Sequence, residues 1–216
     1  MSGLLQVEIT TARQAVRAQD AGADRLVAVR QHDFGLGAPL PEDVAAMRRA
    51  ATVELRVLLR LRAGFGTDGG EASRLRGLIW SYLEAGADGF VLGFLNDLGQ
   101  VDQEVCRSLA QEGDWPWTFD QAIDAAFDPP SAWQSLAGLP RLDSVLTAGS
   151  ARGPEHGLER LLELAEDPAV ARRLIVAGPT PESLPWLRRA GLAAFDLGLM
   201  GPDLDTDRLA SWRRLV

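Results

Sequence analysis

The sequence predicts an α/β chain folded as a single (β/α)8 TIM-type barrel, and three observations carry that expectation. Short apolar runs rich in Val, Leu, Ile and Phe alternate eight times with longer segments of helical period, the pattern of parallel strands covered by helices. The punctuation also repeats. Ala21-Gly22-Ala23-Asp24, Ala85-Gly86-Ala87-Asp88 and Ala190-Gly191-Leu192-Ala193 each stand between a helical segment and an apolar run, where glycine suits a left-handed helix terminus. Finally, 216 residues divide into eight units of about 27, the size of a compact strand-helix repeat. An open doubly wound sheet is the alternative; it needs fewer strands and leaves an edge to cover. No linker or low-complexity stretch divides the chain, so residues 1–216 are expected to form one domain.

The first strand is expected at 4–9, with Thr11 capping the helix that follows. The second lies at 25–29 and the third at 54–60, the latter running into a glycine-rich stretch. The fourth spans 89–94 and the fifth 115–120, with Ser131 ahead of the next helical segment. The sixth and seventh fall at 143–148 and 173–177. After the seventh, Thr180 and Pro181 read as a cap and a first-turn proline, and Glu182 suits the helix dipole. The eighth occupies 193–198. Trp80, Trp133, Trp186 and Trp212 fall in helical segments among Leu and Ile and read as packing between helices and strands.

Composition excludes several chemistries. The chain has no lysine, so its 22 positive charges are all arginines, and imine chemistry or a phosphate-loop lysine is ruled out. A net charge of −8 without basic runs argues against nucleic acid and against anionic membrane. Cys106 is the only cysteine, which excludes disulfides within the chain and thiolate cages; its apolar helical surroundings suit a buried thiol. Only His32 and His156 are available for imidazole chemistry, and both lie in polar stretches. No run of about 18 apolar residues is present and the opening residues lack the basic region of an export signal, so a cytoplasmic location is expected. A helix face carrying Trp212 leaves a homodimer open.

In a barrel, function gathers where strands end at their C-terminal side. Glu8, Asp120 and Asp196 stand at three such ends; convergent, they would hold a hard divalent cation or divide acid and base roles, each raising the other's pKa. Otherwise each is a solvated charge or an arginine's partner. Arg60-Leu61-Arg62 places two guanidinium groups on one side of an extended segment ahead of the flexible Gly64 loop. That arrangement suits a small anionic ligand, or an internal clamp on the same carboxylates. Gly178, in a strand-loop-helix junction, stands where a phosphate could be held, but Pro179 and Pro181 lack N–H groups, and an ordinary connection between strand and helix is the favoured reading.

Along most of its length the chain resembles the CutC family of copper homeostasis proteins. The likeness runs in order through Leu4-Leu5-Gln6-Val7, Ala21-Gly22-Ala23-Asp24-Arg25-Leu26, Arg60-Leu61-Arg62-Ala63-Gly64, Gly89-Phe90-Val91-Leu92-Gly93, Val101-Asp102 with Cys106, Thr118-Phe119 and Val145-Leu146-Thr147-Ala148-Gly149. The resemblance implies a TIM-type barrel and a copper association, and carries over Arg60, Arg62, Gly64, Asp124, Thr147 and Gly149 as mouth residues. Departures concentrate there too: Gln6 stands for a glutamate, Val27 and Val29 for a glutamate and a cysteine, and Asp120 and Asp196 for histidines. Soft Cu(I) prefers sulfur and imidazole, so direct copper coordination is not expected. Copper enters by resemblance alone. A phosphate-ligand isomerase or lyase using carboxylate acid/base chemistry, and a non-catalytic binding paralogue, are the alternative functions.

Overall fold

In a computed structural model, which describes residues 3–216, eight parallel strands close into a ring with helices outside. The strands and helices are β1 (Leu4–Ile9), α1 (Ala12–Asp20), β2 (Arg25–Ala28), β3 (Arg30–His32), β4 (Gly35–Gly37), α2 (Pro41–Ala50), β5 (Glu54–Leu58), α3 (Gly69–Glu84), β6 (Gly89–Leu92), α4 (Gln103–Ala110), β7 (Trp117–Phe119), α5 (Pro129–Leu136), β8 (Leu142–Thr147), α6 (Leu158–Ala165), α7 (Pro168–Ala171), β9 (Leu174–Ala177), α8 (Leu184–Arg189), β10 (Ala194–Leu199) and α9 (Thr206–Leu215). Around the barrel the order is β1, β10, β9, β8, β7, β6, β5, β2, and pairing of Leu4 with Ala194 and of Gln6 with Arg25 joins β1 to both neighbours. All eight predicted strands are present, and no sheet edge remains open in the ring.

Alternation along each strand divides the core. On β1, Leu5, Val7 and Ile9 are fully buried against the helices, while Gln6 and Glu8, two residues apart, face the interior of the barrel. That interior holds two small apolar clusters, Val27, Val29, Leu58 and Val91 on one side and Leu146, Ala148, Ile175 and Ala177 on the other. Buried polar side chains accompany these clusters, among them Gln6, Arg56, Thr118, Ser144 and Asp196.

The repeated helix stop works as expected: Gly22, Gly86 and Gly191 have φ of +98°, +95° and +87°. Its aspartate has a second use. Asp24 Oδ2 accepts the Leu5 N–H at 2.8 Å and Asp88 Oδ2 accepts the Leu55 N–H at 2.8 Å, so each ties its unit to the start of the neighbouring strand.

Of the three helix starts expected at Thr11, Ser131 and Thr180, one is confirmed and two are corrected. Thr11 Oγ1 accepts the Gln14 N–H at 3.2 Å. Ser131 lies inside α5, whose cap is Asp128, because Pro129 and Pro130 fit the first turn. Thr180 bonds Ser183 in an isolated turn, and α8 begins only at Leu184. Among the tryptophans, Trp212 is buried and Trp133 partly buried, but Trp80 and Trp186 are 54% and 59% exposed. Both lie on the outer faces of their helices, where period alone does not report depth. Trp212 therefore gives no exposed dimer face. The hairpin β3–β4 is an addition, folding over the mouth with the Ala38 N–H donating to the Arg60 carbonyl at 2.8 Å.

Candidate functional site

The C-terminal mouth holds a cavity of about 110 Å³ reached by Gln6, Glu8, Arg60, Asp120 and Gln121, over an apolar base that includes Val27, Leu58, Val91 and Leu146. β1 delivers Gln6 and Glu8, and the end of β7 delivers Asp120. Leu36 from the hairpin and Phe65 from the loop after β5 complete the wall.

Asp120 is buried and fully engaged. Its Oδ1 accepts the Ala122 N–H at 2.8 Å, capping the 3₁₀ turn Gln121–Ala125, and its Oδ2 pairs with Arg60 Nη2. Gly93 makes this possible, since a Cβ there would lie 2.1 Å from Asp120 Oδ1. Burial pushes the Asp120 pKa up despite the Arg60 guanidinium beside it. Arg60 in turn sits over the Phe65 ring, 4.6 Å from its centroid.

Glu8 and Asp196 form an interacting pair. Asp196 accepts from Gln6 Nε2 at 3.0 Å and from the Gly198 N–H at 3.1 Å. Burial first, then the Asp196 charge, push Glu8 up to about 8, against the lowering effects of Arg60 and the Leu199 backbone. Burial pushes Asp196 up to about 6. Burial thus favours the protonated form of Glu8, the more strongly shifted member of the pair. Because Gln6 donates to Asp196, its own Oε1 is left buried without a hydrogen-bond partner among the described residues.

The structure separates the other predicted residues. Arg62 turns away from Arg60 and pairs with Asp68 and Glu71 at the start of α3. The expected placement of Arg60 and Arg62 on one side of an extended segment fails because β5 ends at Leu58, so strand alternation does not extend to residue 62. The internal-clamp alternative describes Arg60. Gly64, with φ of +74°, is an exposed turn outside the cavity. Thr147 ends β8 and Gly149 lies in the loop after it, away from the cavity: Thr147 Oγ1 donates to Asp124, and the Ala148 N–H donates to Asp124 at 2.8 Å. Gly178 is exposed and its N–H donates to the Asp196 carbonyl at 2.9 Å, while the Thr180 N–H is engaged by Ser183 Oγ at 3.1 Å. With those two amides engaged, the loop reads as the ordinary connection favoured from its prolines. Nor do the three carboxylates make a cation cage: among the described residues no group of three His, Cys, Asp or Glu side chains could hold a metal ion.

Two participants escaped the sequence reading. Gln121 follows Asp120 at the rim, and Glu71, fully buried, accepts from the Leu61 N–H at 3.2 Å and Thr67 Oγ1 at 2.8 Å, fixing the loop that carries Phe65. The spacing of Glu71 behind the Asp68 cap was the available signal.

A closed (β/α)8 barrel with a small carboxylate-rich cavity at its C-terminal mouth places the chain among TIM-type barrels with a polar mouth site. Within them it belongs to the CutC family, whose family model matches residues 4–192. It is 33% identical over 162 residues to a family protein CutC of Xanthomonas campestris pv. campestris (strain 8004), covering 74% of this chain and 67% of that protein. It is 30% identical over 177 residues to the human copper homeostasis protein cutC homolog, covering 81% and 64% respectively. The chain thus spans about two thirds of the length of these relatives. A crystal structure from Streptococcus agalactiae assigned to CutC superposes with a TM-score of 0.79 at 20% identity, covering 91% of this chain and 98% of that one, a likeness of fold.

Among the described residues, the sulfur and imidazole side chains that Cu(I) prefers are not gathered at the mouth. Cys106 is fully buried in the core, where burial pushes its thiol up to about 12, far from a thiolate ligand. Met47 and Met200 are also core residues. His32 stacks on Phe34 at 4.8 Å with Nε2 against the Ala38 carbonyl, and His156 is exposed on another loop. No helix among the described residues is long and apolar enough to cross a membrane.

Proposed function

We propose that this CutC-family barrel acts in the cytoplasm through a small ligand bound at its mouth, and that its part in copper homeostasis does not involve holding copper with its own side chains. The observation that carries this reading is the convergence of Glu8, Arg60 and Gln6, whose Oε1 is unpartnered, on one cavity. Gln6 Oε1 calls for a hydrogen-bond donor on the ligand, and Arg60 and protonated Glu8 call for an acceptor. A molecule joining a carboxylate to a hydroxyl or amine within a few heavy atoms meets both demands. The cavity, about 110 Å³, lies well below the roughly 300–1,000 Å³ of drug-sized sites, which disfavours a sugar phosphate.

The test is a thermal-shift comparison of glycolate with acetate, together with a Cu(I) competition titration of tag-free protein. Glycolate is expected to raise Tm saturably and more than acetate, and no stoichiometric copper should be retained. Equal or absent shifts with both acids remove the ligand reading, and a copper site tighter than micromolar removes the copper one.

A further inference from the structure

At the opposite, N-terminal end of the barrel lies a larger, open cavity of about 470 Å³, whose wall includes Gly3, Arg25, Asp143, Ser144, Arg172 and Arg173. Above it lies an uneven distribution of charge. Arg56, 1% exposed, bonds both oxygens of Asp143, at 2.8 and 2.5 Å, and donates through Nε to Glu54 Oε1 at 2.7 Å. Arg25 reaches only the other oxygen of Glu54, through Nε at 2.8 Å. Two carboxylates serve two guanidiniums, but Arg56 takes one and a half of them.

Arg25 is left short of acceptors. It is 8% exposed, and its Nη1 is buried with no hydrogen-bond partner among the described residues. Burial, with the Arg56 charge adding to it, lowers its pKa, the expected sign for a cation that is under-compensated. A buried donor without an acceptor is destabilising, and native proteins rarely leave one. At the cavity's rim, Arg172 engages only its Nε, with the Pro168 carbonyl at 2.9 Å, and the Arg173 side chain makes no hydrogen bond or ion pair among the described residues. Three incompletely satisfied guanidiniums surround one cavity in a chain whose net charge is −8.

We propose that this cavity is a second ligand site, separate from the mouth, which takes a small oxyanion such as a phosphate or carboxylate group held by Arg25, Arg172 and Arg173. The planar guanidinium fork matches two oxygens of such a group, and Arg25 supplies a donor already desolvated. The site does not depend on the mouth reading.

The test is calorimetric titration of the full chain with inorganic phosphate at constant ionic strength, paired with hydrogen exchange. Wild type is expected to bind saturably, with protection in peptides covering 168–175 and 191–194. The double variant R172A/R173A, altered only at exposed positions, should bind roughly tenfold more weakly or worse. R25M should abolish binding; if it folds poorly, the double variant remains the deciding measurement. Absence of saturable binding, affinity unchanged in R172A/R173A, or protection confined to 60–65 at the mouth would each overturn the proposal.

Discussion

Glu8 couples the site to pH in a direction that can be worked out. Its folded pKa of about 8 stands above the ordinary 4.5, so between those values the folded chain keeps a proton that the unfolded chain releases. The contribution to stability is complete below about pH 4.5 and is lost as pH rises through about 8. Urea unfolding should therefore show stability falling from pH 5 to 8, and E8Q should reduce that fall by roughly 1–3 kcal/mol; an equal slope in both proteins contradicts the burial argument. Arg60 makes a complementary case. R60M leaves the buried Asp120 without its cation and should cost about 3 kcal/mol, while the R60M/D120N pair recovers part of the loss because no charge is then stranded. Of these residues, Glu8, Asp120 and Asp196 were legible from strand-end position alone. Gln6 was visible as a departure from the family pattern, but its orphaned oxygen depends on which way its amide is turned by Asp196, a fact of packing that no spacing carries.

Elements rather than single side chains decide how the mouth is walled. The loop after β8 turns at Gly149, whose φ is +77° and where an added Cβ would meet the Gly157 carbonyl oxygen at 2.4 Å. Both strain and a backbone clash follow from G149A, so circular dichroism melts should show a loss of about 2 kcal/mol or more; a neutral result would mean that this loop shifts freely. The eight barrel strands and most helices were readable because burial on both faces writes short apolar runs between helical segments and because the Ala-Gly-Ala-Asp stop recurs. The hairpin β3–β4 was not. Its strands have three residues each, Arg30 and Gln31 are exposed, and no alternation can declare itself over so short a span. The placement of Arg60 and Arg62 on one side failed for a related reason: alternation was extended past Leu58, where the strand had already ended.

At the scale of the whole molecule, α9 fastens the ring where its first and last units meet. Leu209 and Trp212 are buried against the core, Arg213 pairs with Asp24 at 2.5 Å, and the Gly3 N–H donates to the Val216 carbonyl at 3.3 Å. Removing 206–216 forfeits the burial of two large side chains, of order 5 kcal/mol, a large share of the roughly 5–15 kcal/mol that holds a domain together. A chain ending at residue 205 should unfold at markedly lower urea concentration, and an unchanged midpoint would show that the ring closes without this helix. The closed architecture was legible from the count of repeats, whereas the contrast between a carboxylate-rich mouth and an arginine-rich base was hidden, because it depends on which alternating positions turn inward. The burial of Cys106 on α4 has a practical result. As the chain's sole thiol, and fully covered by α4 and its neighbours, it becomes available to a labelling reagent only when that region opens. The native sequence thus carries an intrinsic reporter of breathing motions, readable by mass without any engineered probe.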